Sequence, residues 1–370
     1  MIPYSRQNIS QQDIKAVVKV LKSDWLTQGP KVREFEQALA RYAGARYAVA
    51  VSSGTAALHL AYLVVGIRAG DEVITTPNTF VATTNMLLMA GAKPVFCDIR
   101  LDTYNLDENK IEPLITKKTK AIVPVHFAGQ SVEMNKIWQL ARKYDLKVIE
   151  DAAHALGAKY YQKKIGRGKS DMVIFSFHPV KSITTGEGGA ILTDNKDYYQ
   201  KLTALRSHGI YKDQKGKNVM TQLGYNYRLS DIQSALGISQ LKKINQFIKE
   251  RQQVVRWYRK YLADLKQIIL PQELKNLSSS WHLYVIRLNN EKIRDKLASY
   301  LKNHDIGVNF HYPVIYQQPY YRRLKMSFSP CPRAVDYAKT ALTLPLHTLM
   351  LESDVMRISQ LVQNFFHSLI

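Results

Sequence analysis

The chain has 370 residues, of which 46% are apolar and 22% charged, with 18 glycines and 13 prolines. That composition excludes disordered and collagen-like classes and leaves an ordinary globular protein, long enough for a large core and about two domains. The 52 basic and 30 acidic side chains give a formal charge of +22, but the basic residues are scattered in pairs such as Lys117-Lys118 and Lys242-Lys243, a pattern of solvated faces that attract small anions and not of a nucleic-acid or membrane surface.

The opening MIPYSRQNIS has no apolar stretch of the kind a secretory signal carries, so a cytoplasmic location is expected. Residues 13–21 place Ile14, Val17, Val18 and Leu21 at helical spacing, which predicts a helix with that face packed. LTQGP, at 26–30, breaks the pattern as a loop. From 47 to 193 short apolar, β-branched runs recur at 47–51, 72–76, 94–98, 121–125, 147–151, 172–177 and 190–193. Helical patterns lie between several of them, among them one opening at Ser53-Gly54-Thr55 and others at 84–90 and 132–144. Such alternation predicts an α/β fold whose central sheet is parallel and covered on both faces. The apolar run at 55–67 is too short to span a bilayer and reads as a buried helix. Beyond 193 the alternation stops. Residues 229–265 are helix-rich, 281–288 read as a strand, and 303–321 as an aromatic-rich loop and strand region. The change of organisation near 235–250 predicts a large domain over 1–240 and a smaller α+β domain over 241–370. Cys97 and Cys331 form no CxxC pair, which argues for a reducing compartment and against a structural zinc site.

Three segments carry chemistry. In SFHPVKSITTGEGG, at 176–189, a strand ends at Ser176 and Lys181 follows in a loop of small residues. A desolvated lysine there is a candidate amine nucleophile, and the glycines let backbone approach a ligand. VSSGTAA, at 51–57, sits where a strand meets a helix, so its free N–H groups and helix dipole suit a phosphate. In VIEDAAH, at 148–154, Asp151 ends a strand at the edge where α/β sheets bind ligands. If that ligand is a pyridine ring, Asp151 can pair with its protonated nitrogen, and His154 can reach the ring oxygen. Taken singly, each segment also allows a plainer reading: a surface lysine, a capped helix, a hydrogen-bonded core histidine. Taken together, phosphate site, strand-end acid and lysine are the set that pyridoxal phosphate chemistry requires.

The chain resembles the sugar aminotransferases of the DegT/DnrJ/EryC1/StrS family. The resemblance runs from Ile2 to beyond residue 320, through IPYSRQNIS, DWLTQGP, FEQALARYAGARYAVAVSSGTAALHLAY, GDEVITTPNTFVATTN, GAKPVF, VHFAGQ, VIEDAAHALGA, SFHPVKSITTGEGG, RSHGI and GYNYRLSDIQSALG. It implies a fold type I pyridoxal-phosphate transferase, with a mostly parallel sheet flanked by helices and a smaller C-terminal domain. It further implies that Lys181 anchors the cofactor covalently and shuttles a proton, that Asp151 pairs with the ring nitrogen, and that His154 lies near the ring oxygen. Gly54, Thr55, Ala56 and Ser176 would hold the phosphate, and Phe80 would stack on the ring. Asn226 would reach the phosphate of a neighbouring subunit's cofactor, which implies a homodimer with shared sites. Tyr4, Leu26, Thr27, His311, Tyr312, Pro313 and Val314 fall where the family contacts its sugar nucleotide.

Three stretches depart from the family pattern: Ser131-Val132-Glu133 after VHFAGQ, the spacing within 308–319, and the short segment at 166–171. Lys181 itself is kept, which favours amino transfer over the dehydration that family members lacking this lysine perform. Within the family, IPYSRQ, SFHPVK with ITTGEGG, and EDAAHALGA resemble most the members that aminate C4 of UDP-4-keto-6-deoxy-N-acetyl-L-altrosamine in pseudaminic acid synthesis. The expected substrates are therefore a UDP-linked keto sugar and glutamate, with no metal. Two other readings stand beside it. The same machinery could act on a 4-keto pentose or 3-keto hexose nucleotide. Alternatively, the chain could be a basic polyanion-binding protein, which would be colourless and bind nucleic acid in a salt-sensitive way.

Overall fold

The apolar runs become the strands of one central sheet in the computed structural model, which describes residues 1–166, 168–324 and 326–368. The strands are β1 (Tyr47–Val51), β2 (Glu72–Thr75), β3 (Lys93–Phe96), β4 (Thr119–Val123), β5 (Lys147–Asp151), β6 (Met172–Ser176) and β7 (Gly189–Thr193). They lie in the order β1-β7-β6-β5-β4-β2-β3. The pairs β2 with β3, β2 with β4, β4 with β5, and β5 with β6 are parallel. β7 runs antiparallel to both its neighbours, which makes the sheet mostly parallel, as the family resemblance implies. The cause of the reversal is local. The connection from β6 to β7 contains no crossover helix, and a parallel return needs one. The chain turns straight back, and that turn carries Lys181.

Helices cover both faces. α1 (Gln11–Leu21), α2 (Pro30–Ala43), α3 (Gly54–Val64), α4 (Ala82–Met89), α5 (Met134–Tyr144) and α6 (Lys196–Leu205) precede α7 (Asp231–Leu241) and α8 (Ile244–Leu262). Phe35 and Leu39 of α2, Ile137 of α5 and Phe247 of α8 join Ile122, Val148 and Phe175 in one cluster. Leu60 and Tyr62 of α3, Leu87 of α4 and Leu202 of α6 join Val49, Ile149 and Ile174 in the other. Neighbouring strand residues thus point to opposite faces, as a pleated strand requires. The expected buried apolar helix is α3, with Leu58, Leu60, Ala61 and Tyr62 all buried.

The helix-rich region resolves into α7 and α8. α8 contributes Ile244 and Phe247 to the central cluster and Val254, Tyr258 and Leu262 to a C-terminal one. That second cluster is built on an antiparallel sheet of Ile268–Ile269, Tyr284–Leu288 and Ala341–Leu344, covered by the helices Glu291–Asn303 and Glu352–His367. The strand expected from 281 begins at Tyr284, because Trp281 takes a left-handed backbone conformation (φ 49°).

α1 corrects its expectation. Ile14, Val18 and Leu21 are exposed, and the buried residues are Asp13 and Val20. Polar anchoring sets the helix's rotation: Asp13 Oδ2 accepts from Lys243 Nζ at 2.5 Å, Gln240 Nε2 at 2.9 Å and the Ser10 N–H at 2.8 Å. A buried carboxylate satisfied in this way turns inward and takes the apolar stripe off the core.

β7 begins hard against the β1–α3 turn. A Cβ placed at Gly189 would lie 2.5 Å from the carbonyl carbon and oxygen of Ser53 and 2.6 Å from the Gly54 nitrogen. Because these are backbone atoms, Gly189→Ala should destabilise the protein by about 2 kcal/mol or more, in the range of overpacked cores. Denaturant unfolding measures it, and a variant as stable as the parent would contradict this contact.

Candidate active site

The C-terminal ends of β1, β5 and β6 lie along one edge of the central sheet. At the first, Ser53 has extended backbone, and its Oγ accepts the Ala56 N–H at 3.0 Å, capping α3. The Ala57 N–H goes to the Ser53 carbonyl at 3.1 Å. Among the described residues no acceptor takes the N–H groups of Gly54 and Thr55, so the positive end of α3 is left with free donors. Gly54 packs directly on Ser176, where a Cβ would stand 3.0 Å from the serine Cβ and 3.3 Å from its Oγ. Free amides and one hydroxyl thus meet in a cradle that a side chain at 54 would fill, the geometry of a phosphate site.

β5 ends in Asp151, which is 5% exposed. Its Oδ2 accepts from the Thr83 hydroxyl at 2.7 Å, and Oδ1 accepts from the Ala153 N–H at 3.2 Å. Because Thr83 donates to Asp151, its oxygen accepts from the Thr79 hydroxyl 2.8 Å away. Tyr62 donates to the Thr83 carbonyl at 2.9 Å and so ties α3 to the same support.

Lys181 lies in the β6–β7 turn, which hydroxyls hold in shape. Thr184 Oγ1 donates to the Phe177 carbonyl at 3.1 Å, Thr185 Oγ1 to the Glu187 carbonyl at 2.7 Å, and Ser5 Oγ to the Val180 carbonyl at 3.3 Å. Burial pushes the Lys181 amine down to about 8, against the opposing pull of the Asp151 carboxylate. A lysine so placed carries far more neutral, nucleophilic amine near neutrality than a surface lysine does.

Beside it stands a group of imidazoles and phenols. His154 Nε2 lies 3.1 Å from the Tyr312 hydroxyl, while its buried Nδ1 has no partner among the described residues. The His282 ring lies 4.3 Å from that of His154, centroid to centroid. His311 Nδ1 lies 2.8 Å from Thr343 Oγ1. Burial, reinforced by the Lys181 charge, holds His154 well below the ordinary histidine range and pushes His311 down to about 3. Both imidazoles are therefore neutral near pH 7.

The residues expected to contact the sugar, together with Phe80 expected on the ring and Asn226 expected at a neighbouring phosphate, are more dispersed. The Tyr4 ring is 5.7 Å from His311, and the Phe80 ring, 57% exposed in the single chain, is 6.2 Å from Tyr312. Pro313 is exposed, whereas the Val314 side chain is buried in an apolar cluster with Ile315 and Leu283. Leu26 and Thr27 are exposed on a loop whose Thr27 bridges to Ser230. Asn226 is exposed and bridges to Ser207. The cleft also holds Thr83, Thr79, His282, Thr184 and Thr185, which sequence reasoning did not single out. Thr79 and Thr83 were detectable as hydroxyls at helical spacing in NTFVATTN, facing the same way one turn apart.

This donor set fits a phosphate-bearing pyridine aldehyde. The α3 amides and Ser176 suit the phosphate, Asp151 suits a protonated ring nitrogen, the unpartnered His154 Nδ1 suits a ring substituent, and Lys181 suits the aldehyde.

Comparison with known proteins bears on the same site. The sequence model of the DegT/DnrJ/EryC1/StrS aminotransferase family matches residues 7–363. A UDP-4-amino-4,6-dideoxy-N-acetyl-beta-L-altrosamine transaminase of Campylobacter jejuni is 44% identical over 355 residues, which is 95% of this chain and 93% of the relative. The spore coat polysaccharide biosynthesis protein SpsC of Bacillus subtilis is 38% identical over 98% of this chain and 96% of its own. The solved structure of Helicobacter pylori PseC, an aminotransferase involved in the biosynthesis of pseudoaminic acid, matches with a TM-score of 0.95 at 37% identity, over 99% of each chain.

The depressed Lys181 value makes a prediction for the protein without cofactor. Between about 8 in the folded state and about 10.4 in the unfolded one, the unfolded chain holds a proton that the folded chain does not. Folding stability contributed by this group therefore rises with pH across that window and is flat below it. In urea unfolding at about pH 7 and about pH 10, the parent should gain stability relative to Lys181→Met on going to the higher pH. A pH-independent difference would contradict the burial of this amine.

Proposed function

The chain belongs to the DegT/DnrJ/EryC1/StrS aminotransferase family, and from that premise we propose that it moves an amino group from glutamate to C4 of UDP-4-keto-6-deoxy-N-acetyl-L-altrosamine, a step toward pseudaminic acid. It is an aminotransferase and uses pyridoxal phosphate. The choice of sugar is supported by the named activity of the Campylobacter relative and by the likeness to Helicobacter PseC. The observation that carries the chemistry is the meeting of a buried lysine amine, a buried carboxylate whose charge reaches it, and the free amides of α3 beside Ser176.

Bound pyridoxal phosphate supplies an aldehyde for amine exchange and a cationic heterocycle that accepts an electron pair. The protein's part is to bind, orient and move protons. The α3 amides of Gly54 and Thr55 and the Ser176 hydroxyl would take the phosphate, while the Ala56 N–H, expected to join them, is held by Ser53 Oγ instead. The Asp151 carboxylate, held by Thr83 and Ala153, would accept a hydrogen bond from a protonated ring nitrogen and stabilise its charge. The Lys181 Nζ, once free, takes the proton from Cα of the amino donor. In the reverse direction it delivers a proton to C4 of the sugar. One amine is thus anchor and then acid–base catalyst. His154 orients the ring oxygen, and the neutral His311 and Tyr312 face the sugar with Tyr4.

We take the working unit to be a homodimer. Phe80, Met220 and Leu223 are large apolar side chains left exposed by the single chain, and Asn226 is exposed with them. A partner covering them would bring Asn226 to the neighbouring phosphate. The separate apolar clusters of the central and C-terminal sheets support a cofactor-binding domain over 1–240 and a smaller one over 241–370. A reducing, cytoplasmic compartment suits the two free thiols Cys97 and Cys331.

The test is a panel of keto sugar nucleotides offered with glutamate, with products read by mass spectrometry. The 4-keto-6-deoxy altrosamine nucleotide should be aminated in preference to a 4-keto pentose and a 3-keto hexose, and Lys181→Ala should lower turnover by about 10³-fold or more. Preference for either rival sugar would overturn the substrate, and wild-type turnover by the alanine variant would overturn the mechanism.

A further inference from the structure

Asp231 has no place in the mechanism above, yet it is completely buried, at 0% exposure. Its Oδ2 accepts the Gly29 N–H at 2.7 Å and its Oδ1 the Lys31 N–H at 2.8 Å. These are amides at the start of α2, where Gly29 has no side chain to cap the helix and Pro30 has no N–H. Asp231 is also the first residue of α7. The positive ends of two helices therefore meet one carboxylate, a favourable charge–dipole arrangement. The contact is close enough to dictate the residue opposite: a Cβ at Gly29 would lie 2.8 Å from Asp231 Oδ1 and 2.5 Å from Trp25 Cβ.

What the carboxylate pins is the loop of residues 24–29, which carries Leu26 and Thr27. The main chain repeats the connection, with the Asp231 N–H donating to the Leu26 carbonyl at 3.0 Å and Thr27 bridging to Ser230. Upstream, the same segment runs past the phosphate cradle. The Ser52 N–H donates to the Tyr227 carbonyl at 2.8 Å, and Val51 bridges to Arg228. Farther back, Asn226 bridges to Ser207. Residues 226–231 thus form a strut between the cradle and the loop, and Asp231 is its fastening at the loop end.

We propose that Asp231 is a positioning residue for the nucleotide sugar: it fixes the 24–29 loop relative to the phosphate cradle and acts on sugar binding without touching the reacting atoms. The inference rests on the reading of Leu26 and Thr27 as sugar-nucleotide contacts. Asp231→Asn keeps the shape but presents an amide NH2 to one of the two N–H groups, and Gly29→Ala displaces the carboxylate from the other side. In both holoenzyme variants KM for the keto sugar nucleotide should rise by about tenfold or more with kcat within about threefold, as expected when uniform binding is lost. The half-reaction with glutamate alone, followed by cofactor absorbance, should be unchanged, and calorimetric affinity for the UDP-linked amino sugar product should fall in step with KM.

Asp13→Asn, which loosens the buried anchor of α1, serves as a control for general destabilisation and should leave that KM unchanged. Equal losses in both half-reactions, or an unchanged KM in Gly29→Ala, would overturn the proposal, and Gly29→Ala decides the matter if Asp231→Asn does not fold. If the wild-type enzyme binds the UDP-linked product but never reacts with glutamate, the proposed amino donor fails. The product affinities of the two variants still decide the role of Asp231.

Discussion

A carboxylate and an amine withdrawn from water into one cleft are the constraint around which this protein is organised. Removing a carboxylate from water is costly unless hydrogen bonds replace the lost hydration. Asp151 receives two neutral donors, the Thr83 hydroxyl and the Ala153 amide, so its charge is solvated without being cancelled. The uncancelled charge is available to a cationic ring nitrogen. The supporting chain is specific: Thr79 holds Thr83, and Tyr62 of α3 holds the Thr83 carbonyl. The helix that offers its N-terminus to the phosphate is therefore bolted to the group that would sit at the opposite end of the ring.

The pleat decides which acid does this. Glu150 and Asp151 are adjacent, and both are buried. On the face of α2 and α5, Glu150 accepts from His126 Nε2 at 2.7 Å and from Ser170 Oγ at 2.5 Å, while His126 Nδ1 accepts the Val132 N–H. Asp151 points to the face of α3 and α4, where the cleft lies. One residue of register slip would exchange the two and place a fully bonded glutamate where the site needs a carboxylate with a free edge. The pairing of β5 with β6, which sets Asp151 opposite Ile174, is thus a catalytic specification as much as a structural one.

Much of this was legible in the chain itself, and the pattern of what was not is physical. β1 begins and ends where its apolar run does, since a strand buried on both faces is apolar almost continuously, and β5 keeps the expected bounds although its last two residues are acids. Lys181, Asp151 and the SSGT turn were legible because each stands at a junction between periodic segments. What escaped depends on distant partners. The direction of β7 follows from a missing crossover, not from its own residues. The rotation of α1 is dictated by Lys243 and Gln240, more than two hundred residues away, which hold Asp13 inward. Thr83, His282 and Asp231 are ordinary in their local sequence and acquire meaning only from what the fold sets against them.

Desolvation is the single cause behind several features that look separate. Burial depresses the Lys181 amine and the His154, His282 and His311 imidazoles alike, and the charge of Lys181 adds to the depression of the three imidazoles. A cleft wall that excludes water therefore accomplishes two tasks: it makes the amine a usable base near neutrality, and it keeps three imidazoles uncharged around it. Were those imidazoles cationic, each would compete with the α3 terminus for the phosphate and with the ring nitrogen for Asp151. Neutral, they can only accept or donate single hydrogen bonds, which orient a ligand without relocating its charge. The general excess of positive charge on the chain can then draw anions toward the protein from outside, while inside the cleft the binding of an anion is governed by one helix terminus and one lysine.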